Sequence, residues 1–189
     1  MKNKGKKFSF LYALYICLLV FGFSYDTATA AHFSGGFSSG NITYVVANGS
    51  NRSIAQTAVA QWNGKSSRAG ISSASPTNPR RVTTRFNTHR PPTSGALGLM
   101  SPFKSGGARA STSERWATAT VYQYTNSLLN TTAKRTATAT HELGHALSVA
   151  HPPSTNSTAQ RTAVMRQGVK TSSTLTSYDT GSLIAKWGR

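Results

Sequence analysis

The hydrophobic and polar positions divide the chain into short segments with different periods. Ile42 to Ala47 is β-branched and alternating, which predicts a strand. Arg52 to Trp62 places Ile54, Ala58, Val59 and Trp62 at helical spacing. Asn51 or Ser50 is the candidate cap and Gly64 the stop. A Pro/Asn/Ser-rich loop at 72–80 leads to a second strand, Val82 to Phe86. Leu97 to Met100 is a short apolar run between Gly95 and Pro102, and Gly106-Gly107 opens a polar loop that lasts to Ser113. Trp116 to Tyr124 alternates again as a strand. Thr131 or Thr132 then caps a helix that runs to about Leu147. No internal repeat and no second domain boundary interrupts this order, so residues 31–189 are expected to form a single domain.

The start of the chain has another character. Lys2, Lys4, Lys6 and Lys7 precede a largely apolar run from Phe8 to Phe23, and Ala28-Thr29-Ala30 follows as a small-x-small cleavage signal. Residues 1–30 therefore read as a secretory signal peptide and the protein as extracellular. The run is too short, and too soon ended by Gly22, for stable membrane insertion. Cleavage after Ala30 leaves 159 of the 189 residues, enough for one domain with a proper core. The one cysteine, Cys17, leaves with the leader. The remaining domain then carries no disulfide and no thiolate ligand, a pattern more typical of bacterial than of animal secretion. About ten residues separate Ala31 from the first strand, which leaves no room for a folded pro-segment.

Charge changes the picture further. Removing Lys2, Lys4, Lys6, Lys7 and Asp26 from the 21 basic and 4 acidic residues leaves 17 and 3, a net charge of +14. The arginines are scattered, which suits a soluble monomer that associates non-specifically with anionic cell-wall polymers. No nucleic-acid motif accompanies them, so specific nucleic-acid recognition is not expected. Only Glu114 and Asp179 are spare carboxylates, too few for calcium sites.

Chemistry concentrates at His141-Glu142-Leu143-Gly144-His145, with His151 six residues on. Residues four apart share a helix face, so His141 and His145 can offer ring nitrogens to one ion, with Glu142 beside them as a base that is not itself a ligand. The chain has five histidines and two glutamates in all, which makes the coincidence specific. No glutamate follows Glu142, so the third ligand is His151 or Asp179. Pro152 favours His151, because it drives the preceding residue into extended backbone that can turn back toward the helix.

This pattern resembles the extended zinc motif of the metzincins, and the mature region is similar to the short matrixin-like peptidases secreted by bacteria. The resemblance implies an α+β catalytic domain: a twisted mixed sheet, an active-site helix and a closing helix within Leu175–Gly188. It implies Zn²⁺ held by His141, His145 and His151, with Glu142 as catalytic base and Met165 as the methionine packed beneath the metal. The Leu97–Met100 segment would be an edge strand that pairs with an extended peptide, the alternative being a core strand. The implied function is a secreted zinc endopeptidase acting on protein or peptide substrates. The competing reading is a non-catalytic basic extracellular protein with a structural zinc site, which would have no need of Glu142. Two departures stand out. Ser148 occupies the family's glycine position, where the chain reverses with positive φ, and its hydroxyl is expected to bond the local backbone. Arg166 and Gln167 follow Met165, so no tyrosine adds a further ligand.

Overall fold

The structure is a computed structural model and describes residues 30–75 and 77–189. The signal-peptide reading falls, apart from Ala30, outside the described residues. Five strands form one sheet: β1 (Gly40–Val46), β2 (Ala69–Ser73), β3 (Val82–Phe86), β4 (Gly98–Phe103) and β5 (Thr118–Gln123). Their order is β2-β1-β3-β5-β4, parallel except for β4, which runs antiparallel to β5 at the edge. The helices are α1 (Arg52–Trp62), α2 (Thr132–Ala146), α3 (Ser157–Thr162) and α4 (Ser177–Trp187), with a single 3₁₀ turn at Ser127–Leu129 before α2. Among the described residues no helix is long and apolar enough to cross a membrane.

Two of the period-two segments, β3 and β5, alternate core and outer side chains, whereas central β1 buries Ile42, Thr43 and Tyr44 in succession. In β3, Val82, Thr84 and Phe86 are buried while Thr83 and Arg85 are not. Helix α1 begins where Asn51 Oδ1 accepts from the Ile54 amide at 3.1 Å, and it turns Ile54, Ala55, Ala58, Val59 and Trp62 inward. Helix α2 begins at Thr131, whose Oγ1 accepts from the Lys134 amide, and from Thr136 to Ala146 it is buried on every side. A helix so enclosed has to satisfy its own polar groups. Thr138 and Thr140 do so by donating their hydroxyls to the carbonyls of Lys134 and Thr136, one turn back.

Sequence pattern and structure part at three places. Ala69–Ser73 is a strand, not the start of the expected 72–80 loop. It pairs in parallel with β1 (Ile42 opposite Ile71), so neighbouring backbone imposes an extended form that its Gly and Ser residues do not favour alone. The Leu97–Met100 run continues through Pro102 to Phe103. Proline is tolerated there because β4 has only one strand neighbour. Helix α3 has too few apolar positions to announce itself. Of the two roles considered for Leu97–Met100, the edge position is the one observed.

Candidate metal centre

Helix α2 carries His141 and His145 on one face, four residues apart, and ends one residue beyond. The reversal that follows is a Schellman turn. The Ser148 amide donates to the His145 carbonyl and the Val149 amide to the Gly144 carbonyl, both at 2.9 Å. Ser148 has φ 65°, the left-handed conformation that the turn requires. The expected local bond of its hydroxyl does not form. Ser148 Oγ is fully buried, has no partner among the described residues, and fills the space where Gly36 lacks a side chain. The turn is held by its backbone alone.

Beyond the turn, residues 148–150 pair with the strap formed by Ala31, His32 and Phe33: the Phe33 amide donates to the Ser148 carbonyl and the Ala150 amide to the Ala31 carbonyl. This pairing keeps the chain extended and delivers His151 back to the helix. His151 Nε2 lies 3.1 Å from both His141 Nε2 and His145 Nε2. The three imidazoles are thus placed to bind one metal ion.

Whether they fit a cation is decided by their other nitrogens. His141 Nδ1 donates to the Val164 carbonyl at 2.8 Å, and His145 Nδ1 to the Val149 carbonyl at 2.9 Å. Each ring therefore keeps its proton on Nδ1 and turns the Nε2 lone pair inward. The Gln167 side-chain amide nitrogen lies 3.4 Å from His151 Nδ1, on the side of the ring away from the other two imidazoles. Converging lone pairs at 3.1 Å repel one another unless they share a cation. Burial keeps the rings neutral. It pushes His145 down to about 3, with His151 adding to the effect, and His141 well below its usual range. His151 is lowered as well, by burial and then by the Lys170 charge.

Glu142 is buried beside this set without belonging to it. Its carboxyl faces Gly98 at the start of β4, where a Cβ would come within 2.7 Å of Oε1, so glycine makes room for the acid. Burial raises Glu142 to about 8, against the opposing pull of the Lys170 ammonium and the Met100 amide. Together the imidazoles and Glu142 line one wall of a cleft of about 570 Å³. Residues 95–100 form the opposite wall. The arrangement offers a cation position, a carboxyl group of raised basicity and a strand edge in one concavity.

Asp179 is not a fourth ligand and not the third. It is wholly buried, and its oxygens accept from the amides of Val164 and Met165 (both 3.0 Å) and from the amide and hydroxyl of Thr176 (both 2.8 Å). It therefore caps α4 and fixes the Val164-Met165 backbone, whose carbonyl orients His141. Met165 is buried and its sulfur packs against Gly144 from one side while Trp62 packs from the other. A side chain larger than hydrogen at 144 has no space.

Neither protein-family models nor curated proteins match the sequence.

Three contributors went unread in the sequence. Phe33 stacks on the His145 ring at 5.5 Å between centroids and lines the cleft. Lys186, near the end of α4, holds the strap by donating to the carbonyls of Phe33, Ser34 and Gly35 at 2.8–3.0 Å. Lys170 is buried at the cleft and donates to the carbonyls of Arg166 and Gly168. Burial lowers it to about 8. None carries a local signature, since one phenylalanine and two lysines in a basic chain look ordinary until folding brings them together.

Proposed function

We propose that this protein is a zinc-dependent endopeptidase of metzincin type, secreted after loss of residues 1–30. The observation that carries the reading is the buried Glu142 carboxyl beside three converging imidazoles, in a cleft open to an edge strand. A site built only to brace the fold would have no use for an acid buried next to its ligands and kept out of them. The spacing of the nitrogens fits zinc. Zn–N bonds of about 2.0–2.1 Å in a tetrahedron put ligand atoms roughly 3.3 Å apart, close to the 3.1 Å found here.

His141, His145 and His151 would hold the ion, and a bound zinc supplies Lewis acidity toward a water molecule and the scissile carbonyl. Glu142 does the proton work. As carboxylate it takes a proton from the attacking water, and as carboxylic acid it returns that proton to the leaving amine nitrogen. Burial raises its basicity, the direction that suits a carboxyl group which both takes up and returns a proton. β4 has no strand neighbour on its outer side before the Phe103–Arg109 bridge, so its Gly98–Leu99 end offers main-chain hydrogen bonds to an extended peptide, and Phe33 supplies an apolar surface next to His145.

The test is Glu142→Ala in the purified domain. Cleavage of a generic protein substrate should fall by about 10²-fold or more, with zinc content and thermal midpoint preserved. Cleavage at the wild-type rate would remove Glu142 from the mechanism.

A further inference from the structure

A second cleft, of about 460 Å³, is lined by Arg81, Lys104 and Arg115, with the hydroxyls of Ser38 and Ser105 at its wall. It lies beyond the far end of β4. That strand begins at Gly98 beside Glu142 and ends at Phe103, next to Lys104, a span of about 17 Å at 3.4 Å per residue. Glu114 is the only acid in this cleft and is already committed. One oxygen pairs with Lys104 at 2.6 Å and the other accepts from the Ser111 amide at 2.8 Å. The Lys104 ammonium and these hydrogen bonds hold Glu114 down at about 2, so it stays charged, and three cations against one anion leave the cleft at +2.

Arg81 and Arg115 meet no carboxylate among the described residues, where the Lys104–Glu114 pair is the one salt bridge present. Glu142 and Asp179, the other described acids, are buried elsewhere. Arg81 Nη1 donates to the Ala117 carbonyl at 3.3 Å, which sets its guanidinium across the cleft and leaves other N–H groups free. Two guanidinium groups and two hydroxyls around one concavity match the oxygens of a phosphate group.

We propose that this cleft binds phosphodiester groups of an extracellular polymer that has no bases, of the poly(glycerol phosphate) kind. Two observations select that class. Trp116, the one aromatic side chain of the cleft, is 2% exposed and offers no ring face to a base, so the groups the cleft presents are those that contact phosphate oxygens. Leu128 is the only large apolar side chain well exposed among the described residues, which leaves no apolar surface for a lipid headgroup site to seat in a membrane. Because the cleft is separate from the metal centre, a polymer held there tethers the enzyme and leaves its peptide cleft open.

The experiment measures binding of the mature protein to poly(glycerol phosphate) at low and moderate salt. The Arg81→Gln/Arg115→Gln variant is compared with Arg90→Gln/Arg161→Gln, which removes the same charge from exposed positions elsewhere. The cleft variant should lose about tenfold or more in affinity and show a shallower salt dependence. The control should lose less than threefold, and both should cleave an uncharged peptide at the wild-type rate. Arg115→Gln alone, should the double variant fold poorly, is expected to lose at least threefold. Equal losses in both double variants would show that diffuse charge is responsible and overturn the site. So would an absence of binding by the wild-type protein. Tighter binding of a single-stranded oligonucleotide, abolished by the same cleft substitutions, would replace the proposed polymer with nucleic acid.

Discussion

Ser148→Gly should stabilise the protein, although it removes a wholly buried side chain. Ser148 holds φ 65° at the reversal after α2, a conformation that costs a non-glycine residue about 1–2 kcal/mol. Its Oγ is buried without a partner, and an unsatisfied buried hydroxyl costs a further ~1–3 kcal/mol. Glycine relieves both. Against this stand the greater freedom of glycine in the unfolded chain, about 0.4–1 kcal/mol, and lost packing against Gly36, about 0.8 kcal/mol for a methylene. Taking the lower ends of the favourable terms first and their middle next, the net gain is on the order of 1 kcal/mol. For a domain of this size that raises the thermal midpoint by about 2–4 °C. Differential scanning calorimetry of the metal-loaded protein reads it. Ser148→Ala separates the contributions, since alanine removes the hydroxyl and keeps the strained φ. A midpoint below wild type for the glycine variant, with metal content unchanged, would refute the reasoning: the hydroxyl would then be satisfied, or the turn unstrained.

His151→Ala should lose bound metal on dialysis while remaining folded. Asp179→Asn should keep one equivalent of metal but unfold about 5–10 °C lower, because the amides it serves lose part of their charged acceptor at roughly 2–3 kcal/mol. A folded Asp179→Asn protein without metal would make Asp179 a ligand after all. Gly144→Ala forces a methyl between Met165 and Trp62 and should cost about 1–3 kcal/mol by overpacking, with a midpoint drop to match. An unchanged midpoint would mean that the three side chains are not packed as found. Lys186→Met should free the strap and loosen the seat of His145, read as faster metal release to a chelator at a temperature where the variant is fully folded. An unchanged release rate would confine Lys186 to a role in stability.

The candidate metal centre was legible in the chain because its parts are local. His141, Glu142 and His145 fall on one helix, so spacing alone sets their common face, and Pro152 marks the extended backbone that carries His151. Helix α1 and strand β3 were legible for the same reason: a repeat of 3.6 or 2 records which side of a short segment is buried. Strand β2 was not, because Ala69–Ser73 is extended by pairing with β1, nearly thirty residues earlier. The role of Asp179 was also hidden. Sequence reasoning could place it only as a rival ligand, whereas folding turns it onto the backbone beneath His141. The chain by itself determined which atoms could bind a metal, since that depends on residue type and helical periodicity. Tertiary structure decided what orients them, shields them and surrounds them with charge. Phe33, Lys170, Lys186 and Asp179 act across contacts between segments far apart in sequence, and no local pattern records those contacts.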